Sequence, residues 1–461
     1  MRVSRKDVRR ASRSLPEIRF ADQDLTSYGG LVVLDVLLRA LDVHSRIDRA
    51  VCHVKTAGAY AASRIVLLLV VHLFLGNRRL RDIDLYKNDA LVQRVLELKR
   101  LPDTATVSRR LTEFDEQSVF GLRQVLRDIV AGRAIAASPR RLTLDIDGSV
   151  ISTNARGIEG TAIGYNPKKK GARSYYPLFG SIAQTGQVFD LLHRAGNCHD
   201  SVGALAFILD SAKHLRNAGF RGGLEVRMDG AHYSDATCAA LDEASIEFSV
   251  SVPFERIAQL KAVVEERVLW HRIDDDWSYF EWVWRPSKAS KRSYRTIIYR
   301  HRVLVPRRGP IQLDLFVPIE RNFEYKVVMT NKRIAPGVLL SFHNGRGSQE
   351  ATFAEAKSAL ALGYLPSRRQ IGNQVYMLCN LIALALGREL QMRSAPPRTF
   401  ANTPTRACLW ALERISTLRR NVIQRAAQLT RPQGRLVLTF AHCPALQARI
   451  HALVHGAAAA A

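Results

Sequence analysis

The chain lacks several things, and each absence excludes a class of chemistry. No two of its six cysteines form a C-x-x-C pair; they stand singly at 52, 198, 238, 379, 408 and 443, which excludes a disulfide framework and a zinc module as the basis of the fold. His193 and His199 flank Cys198, but nothing completes a tetrahedral site there. No apolar run reaches the ~20 residues of a membrane-spanning helix. The longest, Ile65 to Gly76, contains His72 and runs into Asn77, Arg78 and Arg79, and it reads as a buried helix. No glycine-rich loop of P-loop spacing appears, consistent with a reaction that needs no ATP. The N-terminus, MRVSRKDVRRASRS, is basic without the apolar core of a secretory signal, so the expected location is the cytoplasm, at the nucleoid. Acids are scarce too. With 42 Asp and Glu against 68 Lys and Arg, the net charge is +26 and the pI near 10.3, which calls for a polyanionic partner, nucleic acid rather than membrane.

What is present points to phosphodiester chemistry. The segment RLTLDIDGSV (141–150) alternates Leu142, Leu144 and Ile146 with Thr143, Asp145 and Asp147, the pattern of a strand carrying its carboxylates on one face. Burying them is costly unless something positive binds, and an oxygen-ligated divalent cation meets that need. In a second strand, Leu224, Val226 and Met228 alternate with polar residues and lead into Asp229. A third acid lies in HNGRGSQEATFAEAKSAL, read as a helix capped by Ser348 in which Glu350 and Lys357 share one face two turns apart. Two strand-end aspartates and one helical glutamate suit two-metal cleavage, in which one cation activates the attacking oxygen and the other stabilises the leaving one. Asp145 rivals Asp147 for the first position, and Glu355 rivals Glu350 for the third.

These segments resemble, in order, those of the DDE transposases of bacterial insertion sequences, in the groups numbered 4 and 1380. DIDGS is similar to the first catalytic strand and RMDGAHYSD to the stretch around the second aspartate. EGTAIGYNPKKKGARSYYPL and LLHRAGNCHD resemble the stretches between them. Arg346, Glu350 and Lys357 fall in the register of the YREK signature, Y-x2-R-x3-E-x6-K, with His343 where tyrosine is usual. The resemblance spans about residues 140–390. It implies an α/β RNase H-like catalytic domain interrupted by a mostly β insertion, with Asp147, Asp229 and Glu350 holding two Mg²⁺ or Mn²⁺ ions. It implies that His343, Arg346 and Lys357 contact phosphate. The implied partners are DNA, as terminal inverted repeats and target, and a second copy of the chain in a homodimer on that DNA. A stand-alone nuclease of the same fold and an inactive DNA-binding protein are the alternatives.

Spacing and composition suggest how the chain is divided. Asp229 to Glu350 is 350 − 229 = 121 residues, more than a compact crossover needs, and residues 268–330 contain short β-branched and aromatic runs that fill it. The expected parts are a helical DNA-binding region (1–140), the catalytic domain (141–250 and 336–392), a β-rich insertion (251–335) and an Arg-rich C-terminal region (393–461). SPRR (138–141) marks the first boundary, and LPSRRQIGNQVYMLCNLIALALGREL reads as a long apolar helix against the catalytic sheet. A helix after Pro102 is a candidate for base recognition through Ser108, Arg109 and Arg110. Residues 281–310 hold nine Lys or Arg and one acid, interleaved with Trp282, Trp284, Tyr294 and Tyr299, the composition of a phosphate-tracking surface with stacking platforms. Residues 391–461 hold ten arginines and one acid, Glu413.

Overall fold

The computed structural model describes residues 24–55, 58–137, 139–166, 168–285, 292–303, 323–398 and 403–459. The basic N-terminal segment, Ser138 of the expected boundary, residues 286–291 of the basic stretch, the expected strand IQLDLFVPI and the end of the alanine tail lie outside the described residues.

After β1 (Leu25–Thr26), apolar residues at helical spacing form α1 (Leu31–Ala40), α2 (Val43–Val51), α3 (Ala62–Phe74), α4 (Ala90–Val95), α5 (Thr104–Arg110) and α6 (Glu116–Ala136). All of α3 except Arg64 is buried, and its His72 Nδ1 lies 2.8 Å from the Tyr86 hydroxyl. Among the described residues, no helix is long and apolar enough to cross a membrane. In α5 the Asp103 side chain caps the start by accepting from Thr106 N at 2.6 Å. Ser108 and Arg109 are exposed there, but Arg110 is buried and pairs with Glu113 at 2.7 Å, so only part of the expected recognition face is available.

The next part of the chain alternates strands and helices. β2 (Arg141–Gly148), three short strands β3 (Ile151–Thr153), β4 (Ala162–Ile163) and β5 (Arg173–Tyr175), then β6 (Leu178–Ile182) and β7 (Gln187–Leu192) precede α7 (Ala204–Asn217). β8 (Gly223–Met228), α8 (Asp235–Glu243), β9 (Glu247–Ser251) and α9 (Ala258–Glu266) follow. β10 (His271–Arg272), β11 (Trp277–Trp284), β12 (Tyr294–Arg302) and β13 (Phe323–Thr330) lead to α10 (Pro336–Asn344), α11 (Ser348–Ala359) and α12 (Gln370–Arg393). The chain closes with β14 (Ala427–Thr430), β15 (Val437–Phe440) and α13 (Pro444–Ala458).

Among the described residues, nine strands make one mixed sheet in the order β10-β11-β12-β13-β9-β8-β2-β6-β7. β2, β8 and β9 are parallel neighbours, and the other pairings are antiparallel. Parallel strands are ordinarily covered on both faces, and Leu142 to Ile146 of β2 are all buried. The strands expected as an insertion extend this sheet, because β13 pairs with β9 through Val328↔Ser251 and Thr330↔Ser249. Their aromatic residues mostly face inward: Trp284, Tyr294 and Tyr299 are buried and Trp282 packs against the core, so the stacking platforms expected there are core residues.

The N-terminal helices do not form the separate unit expected from the sequence. Gly372 to Met392 of α12 are buried around the whole helix, so it needs a partner on every side, and α3 and α6 supply one. One hydrophobic core runs from Leu31 to Ala457. The C-terminal region is also tied in, since β1 pairs with β14 and α13 packs on α1. Several of its arginines are structural: Arg419 is buried and donates to Phe74 O at 2.8 Å, and Arg406 forks Glu225 at 3.0 Å from both nitrogens. Arg398, Arg414, Arg420, Arg425, Arg431 and Arg435 remain exposed.

Candidate active site

The parallel pairing of β2 with β8 sets the geometry. Partners run from Arg141↔Gly223 to Asp145↔Arg227, a constant offset of 82, and Asp147 and Asp229 differ by the same amount (229 − 147 = 82). The two aspartates therefore stand side by side where two adjacent parallel strands end, the edge at which open α/β sheets place their sites. Glu350 joins them from the first turn of α11, exposed, next to buried Gln349. Gln349 Nε2 donates to Asp145 O at 3.1 Å and Ser181 Oγ at 3.0 Å, which fixes the start of α11 against the sheet. Ser348 is the first helical residue and caps nothing.

The charges explain the state of Asp147. Burial pushes its carboxyl up to about 6; the Arg346 guanidinium, 3.4 Å away, opposes this, and the Asp229 and Glu350 charges add to it. Oxygen donors carrying surplus negative charge suit a hard divalent cation. Among the described residues, however, no three Asp, Glu, His or Cys side chains are close enough to hold one ion, so the donor chemistry fits a cation while the shell is open.

Both rivals have other work. Asp145 is buried and receives both arms of the equally buried Arg227, Nε at 2.5 Å and Nη2 at 2.7 Å. Arg227 Nη1 also donates to Phe342 O at 2.7 Å and Thr405 O at 2.8 Å. Glu355 accepts from Arg388 at 3.0 Å and from Ile415 N at 2.6 Å, tying α11 to the chain beyond α12. Of the expected phosphate contacts, Arg346 lies beside Asp147, and Lys357 donates to Ser149 Oγ at 2.7 Å and Val150 O at 3.0 Å, holding the turn after β2. His343 is placed differently. Its Nδ1 is 3.0 Å from Ser249 Oγ and its Nε2 2.8 Å from Ser251 Oγ. Burial, then the Lys326, Arg346 and Arg227 charges, push its imidazole down to about 3. It is neutral and buried, so it does not make the phosphate contact expected in the tyrosine's place.

Tyr176 also belongs to the site, although the sequence alone assigns it no role. A Cβ on Gly148 would lie 2.4 Å from its Cζ and 2.5 Å from its Oη. The phenol is held above the usual range by burial, then by its hydrogen bond to Asp200, with the charges of Asp147 and Asp229 adding to the rise. Arg194 stacks 5.1 Å from the ring. Thus SYYPL and HRAGNCHD meet beside the turn that follows Asp147. Gly148→Ala should cost about a hundredfold in cleavage, since a misplacement near 1 Å is enough for that. Adding Tyr176→Ala should restore part of it, and a double variant no better than Gly148→Ala would show that the contact is not the cause.

A solved structure described as the cryo-EM structure of a piggyBac transposase synaptic complex with hairpin DNA is similar at 12% identity, with a TM-score of 0.38, over 86% of this chain and 79% of that one. No curated protein matches. Residues 10–458, nearly the whole chain, match the family model of transposase DDE domain group 1, and the chain belongs to that family: it is a DDE transposase.

Proposed function

We propose that this transposase is of the insertion-sequence 1380 or 4 type, with an RNase H-like catalytic unit formed by β7-β6-β2-β8-β9 and α11. On this reading it binds the terminal inverted repeats of its element as a homodimer, cuts there and joins the freed end to target DNA. The observation that carries the reading is the shared offset of 82 that sets Asp147 beside Asp229, with Glu350 close enough to act on the same carboxyl. Asp147, Asp229 and Glu350 would hold two Mg²⁺ or Mn²⁺ ions, which when bound activate an attacking oxygen and stabilise a leaving one. Arg346 presents a forked donor to a phosphate near the cut, and Lys357 keeps the 149–150 turn in place. The exposed arginines of the C-terminal region and Arg109 of α5 supply phosphate contacts outside the site. Sequencing the DNA that flanks the gene tests the type: imperfect inverted repeats with short direct duplications outside them are expected, and their absence would remove it.

Metal binding should be coupled to protons. The Asp147 carboxyl rises from 3.8 to about 6 in the metal-free fold, so between those values the folded state holds more protons than the unfolded one, and stability falls as pH rises through that window. Bound Mg²⁺ offsets the loss. The gain in unfolding temperature on adding Mg²⁺ should therefore be larger at about pH 8 than at about pH 5. Asp147→Asn should reduce the gain and flatten its pH dependence; an unchanged profile would take Asp147 out of the metal site.

A further inference from the structure

Most aromatic residues of the basic 281–310 stretch are buried, but another aromatic beside a basic run is not. Tyr165 is 86% exposed and follows Ile163, 59% exposed, at the end of β4. Neighbours on both sides fix the backbone that carries it. A Cβ on Gly164 would lie 1.8 Å from Gly196 O, so the backbone there is pressed against the 196–197 segment. Asn166 is buried; its Nδ2 donates to Ser152 Oγ at 2.8 Å, and its Oδ1 accepts from the backbone N–H groups of Lys168 at 3.2 Å and Lys169 at 3.1 Å. Asn166 thus orders the turn that displays Lys168, Lys169 and Lys170, all exposed. The turn borders the active site: the Asn166 bond to Ser152 ties it to β3, which follows the 149–150 turn beyond Asp147, and Lys357 grips that turn.

We propose that Tyr165 is a stacking platform for an unpaired base next to the cleaved end, with Lys168, Lys169 and Lys170 holding the phosphates of that strand. A tyrosine side chain has few rotatable bonds and loses little entropy when a base lands on it, and every base offers a π-face, so the contact is indifferent to sequence. Within a duplex those faces are already stacked on each other. The ring can therefore engage only a strand end or a base that has left the helix. This rests on the active-site reading above, since cutting and joining both need a free strand beside Asp147.

The test uses the full chain without divalent metal, so that binding is read alone. Anisotropy compares a blunt duplex with the same duplex carrying a short single-stranded overhang that contains 2-aminopurine. Wild type should bind the overhang form about tenfold more tightly and quench the probe. Tyr165→Ala should lose both the preference and the quenching, while Tyr165→Trp should keep them. Changing all three lysines to alanine should lower the salt slope of overhang binding by about 2. Overhang preference and quenching retained by Tyr165→Ala, or neither seen in wild type, would overturn the proposal. So would a change in self-association in Tyr165→Ala with DNA binding intact, which would make the patch a protein contact. If Asp147→Ala cleaves DNA normally, the active-site assignment fails while the platform result stands.

Discussion

Asp147→Ala, Asp229→Ala and Glu350→Ala should each reduce Mg²⁺-dependent DNA cleavage by at least about a thousandfold while leaving DNA binding intact. The acids come into each other's electrostatic reach for different structural reasons. Asp147 and Asp229 are neighbours because two parallel strands share a register, and Glu350 arrives on a helix pinned by Gln349. None of the three draws phosphate toward the protein, so removing one takes away cation affinity without weakening the attraction of the basic surface. A nicking assay in Mg²⁺ beside a gel-shift measurement separates the effects. Full cleavage by one variant would remove that residue from the site, and loss of DNA binding in all three would point to a structural role.

Asp145→Ala should behave quite differently, although it lies two residues from Asp147. It strands the buried Arg227 guanidinium, and breaking a buried pair by deleting one partner costs about 3–5 kcal/mol. That is a large part of the ~5–15 kcal/mol that holds a typical fold together. Denaturant unfolding should show the loss, and pairing Asp145→Leu with Arg227→Met should recover most of it, since apolar replacement of both partners removes the stranded charge. A stable but cleavage-dead Asp145→Ala would reverse the assignment of the first acid.

The D-x-D and R-x-D segments show how much of the site could be read in advance. Their alternation marks both as strands, and the equal spacing of Asp145 from Arg227 and Asp147 from Asp229 contains the pairing register. Which of the two aspartates is committed to Arg227 was not legible, because it depends on which strand is the neighbour. Burial of His343 was hidden for the same reason: its serine partners are on β9, more than ninety residues earlier. Helical periodicity found the N-terminal elements but not their partner, since an apolar stripe does not say which surface covers it. The basic stretches misled because composition counts arginines without showing that Arg406, Arg419 and Arg295 are committed to Glu225, Phe74 O and Glu281.

The pairing of Thr26 with Ala427 bears on the timing of synthesis. The two residues are 427 − 26 = 401 positions apart, so at ~5–20 residues per second the first strand waits roughly 20–80 s for its partner to be made. During that interval α1 lacks the cover of α13, and α3 lacks that of α12. Contacts this distant in sequence slow folding and leave apolar surface open to aggregation or to chaperones. A ribosome that stops before residue 427 thus releases the first helices without their cover, not as a unit that can stand alone.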